Sequence, residues 1–182
     1  MRSGEGPRTK TAARTLEWLR NYESRNVTFI DPDGDWPIVW ERARGVHVWD
    51  ADGRRYVDWT AAFGVAAAGH RHPAVVPAAK RQMDRLLHAM GDVRPHPGKA
   101  ALVRELSRLT FERWSRRRGT GARLSGKAIL CNSGFEAVEA ALKTARLVTG
   151  QPGVIAFEGA YHGLGYGTLN ATDRPHFRAP FE

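Results

Sequence analysis

Residues 128–157 constrain the fold more than any other stretch. Ala128-Ile129-Leu130-Cys131 is a short apolar run of the kind that makes a buried strand. Asn132-Ser133-Gly134 follows as a turn. Glu136 to Val148 then carries Val138, Ala141, Leu142, Ala145 and Val148 at helical spacing, with Gly150 as its C-terminal stop. Val154-Ile155-Ala156-Phe157 reads as a second buried strand. Strand, helix and strand in this order predict a βαβ unit, and with it an α/β fold on a parallel sheet with a right-handed crossover.

That topology gives the Asn132-Ser133-Gly134 turn a chemical meaning. Open α/β sheets hold ligands at the carboxyl ends of their strands. A helix N-terminus offers unpaired N–H groups and a partial positive charge, which suits phosphate. Gly134 permits close backbone approach, and the Ser133 hydroxyl can add a hydrogen bond. Helix capping alone also accounts for a serine here, and both readings stand on the local sequence. There are too few glycines for a P-loop, no Gly-Lys-Ser/Thr follows, and a dinucleotide fingerprint is absent. Glu158-Gly159-Ala160-Tyr161-His162-Gly163 follows the second strand, which parallel pairing would place beside the turn. Tyr161 offers a flat face to an aromatic ring and His162 a proton-transfer group. Taken alone, the pair reads as a packed aromatic and a loop histidine. Taken with the turn, it points to an aromatic phosphate ester.

The preceding residues carry less chemistry. Thr11 to Ser24 reads as a helix through Leu16, Leu19 and Tyr22, followed by the connector Asp31-Pro32-Asp33-Gly34-Asp35. Val46–Asp50 and Arg54–Asp58 flank Ala51-Asp52-Gly53, a strong hairpin signal. Trp59 to His72 is rich in Ala and Gly without clear periodicity. Helices are predicted from Pro73 to about His88 and from about Pro97 to Trp114.

Composition narrows the class. Of the 182 residues, 42% are hydrophobic and 26% charged, ordinary for a globular chain. No apolar run approaches the ~20 residues needed to span a bilayer, so no membrane role is expected. Met1 to Lys10 is polar and holds no signal-peptide core. The single Cys131 excludes an internal disulfide and a Cys-rich metal site, and the histidines show no metal-ligand spacing. A cytoplasmic protein is the expectation. The net charge of +9 is concentrated at Arg113, Arg116, Arg117, Arg118, Arg123 and Lys127. A helix end and a Gly-containing loop account for that patch as a solvated face, so no nucleic-acid partner is expected.

Four stretches resemble class III aminotransferases, enzymes of the fold-type-I pyridoxal 5'-phosphate (PLP) class. They are Val48 to Asp58, Gly69-His70-Arg71-His72-Pro73, Asn132 to Lys143, and Phe157 to Gly163, and the likeness runs from about residue 38 to 172. The resemblance implies that Ser133, Gly134 and the Phe135 backbone hold the PLP phosphate. It implies that Tyr161 stacks on the pyridine ring beside His162, and that Phe63 faces the substrate. Phe135 departs from the small residue common at its position, which leaves its backbone N–H but no side-chain hydroxyl. The resemblance divides the chain into a tail and helix (1–36), an N-terminal segment with the hairpin (37–96), and the start of a large domain built on a seven-stranded, mainly parallel sheet (97–182). It further implies an amino donor, a keto-acid or aldehyde acceptor, and a homodimer.

The family's chemistry also needs a lysine that holds PLP as a Schiff base and an Asp at the pyridine nitrogen, both expected well beyond Glu182. Lys143 lies nine residues into the helix from Gly134, about 13 Å along its axis. Lys127 begins the strand whose far end carries the turn, and Lys10, Lys80 and Lys99 lack motif context. The chain is therefore expected to be an N-terminal fragment without its own catalytic lysine. A same-fold aminomutase, racemase or decarboxylase, or a non-catalytic module, are the alternatives.

Overall fold

The hairpin forms where Asp-Gly places it. Strands β1 (Trp40–Arg44), β2 (His47–Asp50) and β3 (Arg55–Val57) make an antiparallel sheet in the order β1-β2-β3. The reason lies in Asp50, which is 4% exposed. One of its carboxylate oxygens accepts the N–H groups of Asp52 and Arg54 at 3.0 and 2.8 Å, and the other accepts the Tyr56 hydroxyl at 2.8 Å. Gly53 turns the chain at φ 82°, where a side chain would be strained. The structure is a computed structural model describing residues 9–25, 27–32, 37–118 and 124–181. Asp33-Gly34-Asp35 of the connector, the first eight residues and Arg123 lie outside them.

Two units can be distinguished, Met1–His88 and Ala89–Glu182. In the first, helix α1 (Lys10–Tyr22) is capped by Thr9, whose side chain accepts the N–H of Ala12. Thr9 also donates its own N–H to Asp52 at 2.9 Å, tying the helix start to the hairpin turn. Among the described residues, Ala12, Leu16 and Val48 are the unit's buried apolar ones. Helix α2 spans Val75–Arg85, shorter at both ends than the Pro73–His88 expected. The aperiodic stretch after β3 has a cause that periodicity cannot register. Ala61, Ala62 and Phe63 are left-handed, with φ of 48°, 51° and 56°.

In the second unit the single helix expected from Pro97 to Trp114 is two, α3 (Pro97–Leu109) and α4 (Phe111–Arg117). Thr110 breaks them at φ −111°, ψ −85°, while its hydroxyl bonds back to the Leu106 carbonyl at 2.6 Å. Such back-bonding by a β-branched residue competes with helix continuation. Helix α5 (Gly134–Thr149) ends as expected on left-handed Gly150. Short helices α6 (Tyr166–Leu169) and α7 (Pro175–Arg178) follow.

The strands expected at 128–131 and 154–157 are not formed. The described residues hold one sheet, the antiparallel β1-β2-β3, so they contain neither the βαβ ladder nor its parallel pairing. Both segments lack regular structure and are open, with Ile129 70% and Ile155 91% exposed. Apolar patterning marks a segment that suits a strand, but a ladder forms only where a neighbour meets its N–H and C=O groups. No described segment does so for either.

Candidate functional site

The α5 N-terminus is organised by a reciprocal cap. The Ser133 hydroxyl oxygen accepts the Glu136 N–H at 3.4 Å. The Glu136 carboxylate reaches back to accept the N–H groups of Asn132 and Ser133 at 2.8 and 3.0 Å. This is the capping box that Ser-x-x-Glu encodes. The capping reading of Ser133 is thus realised, and it leaves the hydroxyl hydrogen free to donate elsewhere. The cap does not serve Gly134 and Phe135. As first-turn residues their N–H groups have no partner within the helix. A β-carbon at Gly134 would meet nothing within 4 Å, so the backbone there is open to a ligand.

The facing wall is the loop 158–165. Left-handed Gly159 donates to the Asp173 carboxylate at 2.8 Å, and Asp173 returns its N–H to the Ala160 carbonyl at 2.9 Å. The fully buried Thr172 hydroxyl accepts the His162 N–H at 3.0 Å and donates to the Gly163 carbonyl at 3.0 Å. These four bonds fix the backbone on both sides of Tyr161 and His162. The Tyr161 ring meets Phe177 edge-on at 5.7 Å and remains 57% exposed. From the α5 side the Phe135 ring lies against Gly163 and Gly165. Glu139, one turn further on, accepts the Thr168 N–H at 3.0 Å and holds α6 against α5.

Between the walls is an open cleft of about 540 Å³ lined by Ser133, Gly134, Phe135, Tyr161 and His162, together with Val138, Gly163 and Leu164. All five residues implied as cofactor contacts therefore share one cavity. Phe63 belongs to the other unit, where it is 96% exposed. Sequence reading missed Thr172 and Asp173, which set the loop, and Glu139, which sets α6. Nothing local marks Thr172 or Asp173, since their partners lie 10 and 14 residues away. Of the lysines argued against above, Lys143 faces Glu139 at 4.0 Å and Lys99 donates to the Gly91 carbonyl at 2.9 Å.

Known proteins carry the same pattern. The family model for class-III aminotransferases matches residues 29–182. The acetylornithine aminotransferase of Methanopyrus kandleri is 40% identical over 146 residues, 80% of this chain and 34% of that protein. A thermostable (S)-enantioselective omega-transaminase from Thermomicrobium roseum superposes with a TM-score of 0.74 at 25% identity, over 97% of this chain and 38% of that one. A taurine:2-oxoglutarate aminotransferase from Bifidobacterium kashiwanohense, solved with PLP and glutamate, gives a TM-score of 0.74 at 24% identity, over 92% and 34%. The fold is that of the fold-type-I transaminases, and the chain spans about a third of the length of the relatives it matches. With a family model covering all but its first 28 residues, the chain belongs to the class III aminotransferase family.

Proposed function

We propose that the 133–163 cleft holds PLP, and that the protein moves an amino group from an amino acid or amine to a keto acid or aldehyde. One observation carries the reading. Gly134 and Phe135, whose first-turn N–H groups lack a partner within the helix, line the same cleft as the half-exposed Tyr161 and as His162. The residues fit the group: a helix N-terminus for the phosphate, uncovered backbone at Gly134, and an aromatic ring, Tyr161, on the same cleft.

PLP, when bound, supplies an electron-withdrawing ring on which amino-group chemistry runs. This chain's residues bind and orient. Gly134 and Phe135 donate backbone hydrogen bonds to the phosphate, and the Ser133 hydroxyl adds a third. Tyr161 packs a ring face and His162 presents a nitrogen that can hold a proton beside it. Phe63 is proposed to face the substrate. A lysine for covalent attachment is expected from residues beyond this segment. A homodimer in the cytoplasm completes the proposal, supported by the apolar side chains left exposed around 129–157.

Titration of PLP into the complete protein, with inorganic phosphate as competitor, tests the reading. Saturable binding that phosphate displaces, together with amino transfer between an amino acid and a keto acid, is expected. PLP binding indifferent to phosphate would overturn the assignment of the helix terminus.

A further inference from the structure

Ala61, Ala62, Phe63 and Gly64 form an uninterrupted left-handed turn. Non-glycine residues avoid this region because Cβ meets the following carbonyl oxygen, and a run of them persists only where the surroundings over-determine it. Asp58 supplies that constraint. One carboxylate oxygen accepts the Thr60 N–H at 3.1 Å and the Thr60 hydroxyl at 2.8 Å. The other accepts the Ala62 N–H at 2.8 Å and lies 2.8 Å from His70 Nε2. Since an ionised carboxylate only accepts, His70 is the donor. His70 is itself fixed: its N–H and C=O pair with those of Gly45, each at 2.8 Å. The contrast within six residues is large. The Asp58 side chain is 3% exposed and Phe63, on the turn it organises, is 96% exposed.

We propose that Asp58 is a positioning residue for substrate: with His70 it clamps the left-handed turn and thereby aims Phe63. The proposal rests on the reading of Phe63 as substrate-facing. A clamped turn presents its aromatic ring at little ordering cost on binding, which a free loop cannot do. No neutral amide replaces this carboxylate. Both Asp58 oxygens accept from N–H donors, so an asparagine turned either way sets its NH₂ against one of them.

The test compares Asp58→Asn, His70→Gln and Phe63→Ala in the complete protein. Two readouts are taken, amide hydrogen exchange at Thr60 and Ala62, and KM and kcat for an amino donor. Asp58→Asn is expected to speed exchange at both amides while β2 amides hold, and to raise KM by about tenfold with a smaller change in kcat. His70→Gln, which keeps a donor, gives a smaller change of the same sign in both readouts and carries the test if Asp58→Asn does not fold. Phe63→Ala raises KM with exchange unchanged. A turn loosened by Asp58→Asn with KM unaltered, while Phe63→Ala raises KM, overturns the positioning role. A Phe63→Ala variant with unaltered KM sinks the substrate-facing reading of Phe63, and the positioning role with it.

Discussion

Gly163 lies so close against the Phe135 side chain that no β-carbon fits between them. The same glycine sits at φ 108°, where a side chain is strained even in open space. Gly163→Ala therefore meets two obstacles, a steric one and a conformational one. The expected cost is about 2–4 kcal/mol of stability, read by denaturant unfolding. The atom that a new side chain meets is the Phe135 β-carbon, which alanine would keep, so Phe135→Gly is the variant that lifts the first obstacle; measured against Phe135→Gly alone, the double variant should recover part of the loss. Full recovery, or none, would show that one obstacle alone governs the position.

The cleft's membership was legible in the sequence, but its construction was not. Ser133-Gly134 and Tyr161-His162 stand out as motifs, and parallel strands were the expected means of bringing them together. In the structure a different set of contacts does it. Phe135 seats under Gly163 and Gly165, and Thr172 and Asp173 hold the loop from behind. The strands at 128–131 and 154–157 failed because patterning reads only the segment's own side chains, whereas a ladder depends on a neighbour. The left-handed turn at 61–64 was invisible for a related reason. Its conformation is imposed by Asp58 and His70, not preferred by Ala-Ala-Phe, and only Gly64 hints at it. The Asp-Gly hairpin, α1 and the Gly150 stop were readable because each is decided within a few residues.

Tyr56 should anchor the hairpin through Asp50. Its hydroxyl donates to a carboxylate that is nearly buried. Loss of solvent around the ring, and then the bond to Asp50, push the Tyr56 pKa above its ordinary 10.0. Tyr56→Phe leaves one Asp50 oxygen short of a donor and is expected to cost about 1–2 kcal/mol near neutral pH. A group whose folded pKa is raised contributes stability below its unfolded pKa and loses it as pH rises through the folded value. The gap between wild type and Tyr56→Phe should therefore close in strong alkali, above 10.0. A gap constant across that range would remove the bond from the account.

Asp58 makes the opposite pH prediction. The hydrogen bond from His70, and next that from the Thr60 hydroxyl, hold its carboxyl below the ordinary 3.8. A depressed folded pKa gives stability that is complete above 3.8 and is lost as pH falls through the lower folded value. The left-handed turn should accordingly loosen in acid below 3.8 before the hairpin does, seen as faster exchange at Ala62 than at Val48. The groups facing Asp58 are His70 and the Thr60 and Ala62 donors. Asp58→Asn should abolish the acid step, and its survival in that variant would assign it to another carboxyl.

Ser133 has two roles that one substitution can separate. As N-cap its oxygen accepts the Glu136 N–H, and aspartate caps helices as well as serine does. As a proposed phosphate ligand its hydroxyl donates into the cleft, and aspartate instead places a negative charge there. Ser133→Asp should thus leave unfolding stability within about 0.5 kcal/mol of wild type, since a carboxylate at a helix N-terminus is favourable. The same change should weaken PLP binding by at least about fivefold, because two anions a few ångströms apart repel by about 1 kcal/mol or more even in a high dielectric, ~1.4 kcal/mol being a factor of ten. Ser133→Ala gives the converse. It costs about 1 kcal/mol of helix stability through the lost cap, and it removes one donor of three, so PLP binding weakens less than in Ser133→Asp. Raising ionic strength should shrink the Ser133→Asp defect, since screening acts on the charge repulsion and not on a missing hydrogen bond. Equal PLP affinity in wild type and Ser133→Asp, measured on a protein that unfolds as wild type does, would mean that phosphate does not sit at this helix terminus.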